Sequence, residues 1–101
     1  MLTHLDGKNF NAFIKENKKV VVDFYATWCG PCRAMAPVFD AVAENVSNFK
    51  FAKVDVDKAE ELALSYGINT IPTIAIFENG ALVEKSSGYK TQEQLMDLIG
   101  V

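Results

Sequence analysis

The chain is poor in almost everything that marks a disulfide-stapled, metal-bound or membrane-inserted protein. Its 101 residues include two cysteines, one histidine, three prolines and one tryptophan. Two cysteines can close one bridge at most, so a disulfide framework is excluded. A closed structural zinc site needs about four ligands, and His4 is the one nitrogen ligand available beside the two thiols. No apolar run approaches the roughly 20 residues that cross a bilayer. Positive charge is not in surplus either. Ten Lys and Arg stand against 13 Asp and Glu, a net charge of −3, which argues against nucleic acid and membrane surfaces as partners. Met1-Leu2-Thr3-His4-Leu5-Asp6 lacks the charged and apolar regions of a secretory signal. That predicts a cytoplasmic protein, where cysteine pairs tend to be catalytic. No Gly-rich dinucleotide fingerprint occurs, so no bound cofactor is expected.

What remains is half hydrophobic, enough for one compact domain over residues 1–101. Thr3 to Leu5 reads as a short edge strand. Asp6 is expected to cap a helix whose apolar face is Phe10, Phe13 and Ile14. Val20-Val21-Val22-Asp23-Phe24-Tyr25 reads as a central strand covered on both sides. Met35, Phe39, Val42 and Val46 mark one stripe of a long helix, with Pro37 inside it. Phe49 to Val56 is a further strand. Asp57 with Glu60 reads as a helix cap, and Gly67 as that helix's stop. Thr73 to Phe77 and Ala81 to Lys85 are joined by Asn79-Gly80, a strong hairpin signal. Thr91 and Gln94 form a capping-box pattern ahead of Leu95, Leu98 and Ile99. The order is β-α-β-α-β-α-β-β-α, an α/β domain whose central mixed sheet carries helices on both faces.

Both cysteines fall within Trp28-Cys29-Gly30-Pro31-Cys32, after an apolar strand and before a helical pattern. A C-x-x-C in that setting reads as a dithiol that opens and closes. Unpaired N–H groups and the positive end of the helix dipole favour a thiolate there. Cys29, the first of the pair, is the better placed nucleophile. A purely structural bridge this short removes little unfolded-chain entropy. Two inert buried thiols would not explain the tight Gly30-Pro31 turn into the helix.

Phe24 to Cys32 as a run, Ala36-Pro37, Phe51 to Asp57, Tyr66-Gly67-Ile68, Ile71-Pro72-Thr73 and Asn79-Gly80 together resemble the thioredoxin family over nearly the whole length. Tyr25 stands where many members carry a second tryptophan. The resemblance implies the thioredoxin fold and a protein-disulfide reductase. Cys29 would attack a partner's disulfide, and Cys32, one turn along and more buried, would resolve the mixed disulfide. Electrons would come from NADPH through a flavoprotein thioredoxin reductase, with disulfide-containing proteins as substrates. It also implies a cis-proline at Pro72 facing the dithiol; a monomer is expected, and the ligand count predicts no metal. Trp28, Gly30, Pro31, Ile71, Pro72 and Gly88 would form the substrate-binding surface.

Two charged residues in the strands have two readings each. Asp23 is either an ordinary solvent-facing strand residue or a buried carboxylate with a raised pKa, able to take the Cys32 proton. Lys53 is either a solvated edge-strand lysine or a partner for Asp23. The family's matching positions favour the second reading in each case. An oxidase or isomerase usually replaces the proline between the cysteines, and a glutaredoxin needs a different spacer. A domain that only docks partners would have lost a cysteine.

Overall fold

The computed structural model describes residues 2–101. Five strands and four helices alternate as the sequence pattern predicts: β1 (Leu2–Leu5), α1 (Phe10–Glu16), β2 (Lys19–Tyr25), α2 (Gly30–Asn45), β3 (Lys50–Asp55), α3 (Glu60–Ser65), β4 (Thr73–Glu78), β5 (Ala81–Ser87) and α4 (Gln92–Ile99). The strands form one sheet in the order β1-β3-β2-β4-β5. β1, β3 and β2 run parallel, whereas β4 is antiparallel to both β2 and β5.

Side chains alternate across a strand, so the sheet feeds two cores. Val20, Val22 and Phe24 of β2 face Phe10, Ile14 and Ala63 of α1 and α3. Val21 faces Met35, Phe39, Leu95 and Ile99 of α2 and α4. By the same alternation Asp23 shares the face of Val21, beneath the helix that begins at the cysteines. On β3, Lys53 shares the face of Phe51, which packs with Phe39 at 5.6 Å between ring centroids.

Turn chemistry explains the element ends, with two corrections to the sequence expectations. Asn79 (φ 52°) and Gly80 (φ 82°) make the hairpin turn. Asp6 does not cap α1; it accepts the N–H of Lys8 and Asn9 in a preceding turn, and the helix starts after Asn9. Asp57 does not cap α3, whose N-cap is Ala59 without a side-chain bond. The carboxylates near α3 instead bind other groups, Asp55 accepting the N–H of Asp57. The α4 capping box is complete, with Thr91 and Gln94 each accepting the other's N–H. Thr91→Ala is therefore expected to cost about 1 kcal/mol, read as a lower denaturation midpoint.

Candidate functional site

β2 ends at Tyr25 and the chain turns through Ala26 to Trp28 before entering α2. Cys29 is the N-cap of α2, with Pro31 in the first turn, where its missing N–H leaves nothing unpaired. Cys29 and Cys32 are joined in a disulfide with Cα atoms 5.2 Å apart. The Cys32 N–H donates to Cys29 Sγ at 3.2 Å. The first sulfur of the pair therefore receives a backbone donor as well as the field of a 16-residue helix. The cysteines are 6 % and 3 % exposed, so both are largely covered and Cys29 is the more open of the two.

Trp28 is 67 % exposed beside a bridge that is nearly covered. Its indole N–H donates to Asp57 Oδ2 at 2.8 Å, which fixes the ring over the loop after β3. Trp28, Val56, Leu64, Ile68 and Ile71 line an open apolar hollow of about 410 Å3. The Ile71–Pro72 peptide bond is cis. The Pro72 carbonyl accepts the Gly88 N–H at 2.8 Å, so Ile71, Pro72 and Gly88 stand on adjoining lips of one surface. Thr70, Thr73 and Ser87 join the same lips through hydroxyl contacts of 3.0 and 3.2 Å.

Asp23 is 1 % exposed, which removes the solvent-facing reading. Neither carboxylate oxygen has a hydrogen-bond partner among the described residues. Burial is the main reason its pKa is raised from 3.8 to about 6; Lys53 pulls it down and Asp40 pushes it up. Lys53 is the register partner of Asp23, and β3 lies between β1 and β2, so Lys53 is on an interior strand, not an edge. Its ammonium sits over the Tyr25 ring, 5.1 Å from the centroid. It thus acts on Asp23 through its field and not through a direct ion pair. Cys32, Tyr25 and Lys53 line a recess of about 230 Å3.

Ile71 packs against Cys29 and Cys32 and shares the apolar hollow with Trp28, Pro72 follows it and is bonded to Gly88, and Asp23 and Lys53 lie on the sheet face under α2. Asp57 was missed as Trp28's partner, because a bond across 29 residues leaves no local signal. Among the described residues no group of three or more His, Cys, Asp or Glu side chains is placed to hold a metal. No helix there is long and apolar enough to cross a membrane.

Comparison with known proteins agrees with this geometry. Residues 1–100 match the family model described as thioredoxin. A thioredoxin of Mycoplasmoides gallisepticum is 40 % identical over 99 residues, covering 97 % of this chain and 99 % of that protein. A thioredoxin of Alicyclobacillus acidocaldarius is 44 % identical over 92 residues, covering 90 % of this chain and 88 % of that one. The solved structure of Plasmodium falciparum thioredoxin superposes with a TM-score of 0.91 at 33 % identity, covering 96 % of this chain and 95 % of that one. The chain therefore belongs to the thioredoxin family, and its Cys29–Cys32 pair is a redox-active centre for thiol–disulfide exchange.

Proposed function

We propose that the chain is a single-domain, monomeric reductase of protein disulfides in the cytoplasm, recharged by NADPH through a flavoprotein thioredoxin reductase. The observation that carries this reading is the position of Cys29, which caps α2 with its sulfur receiving the Cys32 N–H. In the reduced protein the same donor and helix dipole favour the Cys29 thiolate. That thiolate attacks one sulfur of a substrate disulfide, and the other substrate sulfur leaves as a thiolate that takes up a proton. Cys32 then gives up its proton and attacks Cys29 Sγ. The second substrate sulfur leaves, and two electrons have passed from the dithiol to the substrate. The reductase returns them from NADPH, so the chain itself needs no cofactor.

Asp23 is the acceptor we assign to the Cys32 proton; it lies on the sheet face under α2 beside Lys53, which with Cys32 lines the recess. A carboxylate with pKa about 6 is ionised at neutral pH and close enough to neutrality to exchange protons. Lys53 keeps that pKa from rising further. Trp28, Gly30, Pro31, Ile71, Pro72 and Gly88 receive an extended segment of the substrate, with the apolar hollow taking its side chains.

Reduction of insulin by the chain, coupled to NADPH and a thioredoxin reductase, tests the reading. NADPH consumption that needs all three proteins is expected, and none above background would sink the assignment. The Gly30-Pro31 spacer further predicts a reducing centre. Equilibration with glutathione buffers is expected to leave the pair mainly as dithiol under cytosolic conditions. A potential as high as about −120 mV, that of a strong thiol oxidant, would contradict it.

A further inference from the structure

We infer that Lys90 is a positioning residue whose ammonium clasps the end of β5 and the turn that leaves it, and so holds one lip of the substrate surface in its binding shape. This rests on the reading of that surface as the substrate's seat. Lys90 is 8 % exposed, a rare setting for a lysine without a carboxylate partner. Its Nζ donates to the carbonyls of Ser86 at 3.2 Å and Gly88 at 3.1 Å, with a longer bond to Ser87 at 3.4 Å. An ammonium has three donors, and here all three go to consecutive carbonyls, the last two of β5 and that of Gly88 just beyond it. Burial pushes the Lys90 pKa down, so the three carbonyls are what the buried charge relies on.

The turn is also held from the other side. Gly88 has φ +99°, a conformation that favours glycine, and donates its N–H to Pro72. Ser87 Oγ meets the Thr70 and Thr73 hydroxyls. Lys90 therefore anchors one side of a backbone that is tied on its other side to Pro72, Thr70 and Thr73. Without the clasp the turn populates other shapes, and apparent affinity falls by the fraction no longer competent. A small disulfide that does not lie along the lips needs no such shape.

The test compares the wild-type chain with Lys90→Met, which keeps the stem and removes the ammonium. Pre-reduced protein, freed of excess reductant, is mixed in single turnover with insulin or with the small aromatic disulfide 5,5′-dithiobis(2-nitrobenzoic acid). The half-saturating insulin concentration is expected to rise roughly five- to tenfold, as for a turn competent about one-fifth to one-tenth of the time. The limiting rate and the small-disulfide rate should stay within about twofold. Amide exchange at Gly88, followed by NMR, should accelerate by at least about tenfold. Either change without the other overturns the inference, as does an equal loss on both substrates. Lys90→Arg keeps the charge on a wider fork and should shift both readouts in the same direction by less; if Lys90→Met does not fold, this variant decides. If the wild type reduces neither disulfide, the reductase reading fails, while Gly88 exchange still decides whether the clasp exists.

Discussion

Asp23→Asn is expected to stabilise the protein by about 2–3 kcal/mol at pH 7. The carboxylate is buried on the face under α2, both oxygens lack partners, and its pKa rises from 3.8 to about 6. A group whose folded pKa lies above its unfolded value binds protons more tightly when folded. Its contribution is most favourable below pH 3.8, fades as pH rises towards 6, and at pH 7 is a full penalty. At 1.36 kcal/mol per unit, that shift corresponds to about 3 kcal/mol. Asparagine keeps the shape of the protonated acid and so removes most of this penalty. In a domain of this size the midpoint temperature should rise by roughly 10–20 °C. The gain should shrink as the pH falls from 6 to 4, and a constant gain across that range would show that the carboxylate is not its source. Asp23→Ala also loses the charge but leaves a small void, so its gain should be smaller.

The same variant should lose function while gaining stability, a trade often seen where a buried polar group serves chemistry. Resolution of the mixed disulfide should slow, and the wild-type inflection near pH 6 in that step should vanish. With the carboxylate as acceptor, the wild-type step accelerates as pH rises through about 6. Formation of the adduct should be much less affected. An unchanged pH profile for resolution would remove Asp23 from the proton path.

The element order was legible because it rests on local patterns. The β-branched run of β2, the stripe of α2, the Asn79-Gly80 turn and the Thr91–Gln94 box each lie within a few residues of their cause. So were the two cysteines, since their setting between strand and helix is itself sequential. Asp23 stayed ambiguous until β2 was seen between β3 and β4 with helices above it. The caps at Asp6 and Asp57 misled, because an acid before a helix serves equally well in a turn or toward a distant donor. Lys90 left no mark at all. Its partners are carbonyls, which every residue carries, and only the curl of the backbone gathers them around one ammonium.

The largest functional effects are expected at the cysteines, and they should differ in kind. Cys29→Ser and Cys32→Ser should each lower turnover by at least roughly a thousandfold, since either change leaves one thiol where two electrons must be delivered. The intermediates separate them. Cys29 receives the backbone donor and the helix field, and Cys32, on the face that continues to Met35 and Phe39, follows it by one turn. Cys32→Ser should therefore attack a substrate and stall as a mixed disulfide, with no second thiol to resolve it. The decisive measurement is intact-mass analysis, under non-reducing conditions, of each reduced variant mixed with an oxidised protein substrate. The account predicts a one-to-one adduct with Cys32→Ser, released by added thiol, and no adduct with Cys29→Ser. Adducts with Cys29→Ser alone would reverse the order of attack, and none with either variant while the wild type turns over would contradict the exchange mechanism.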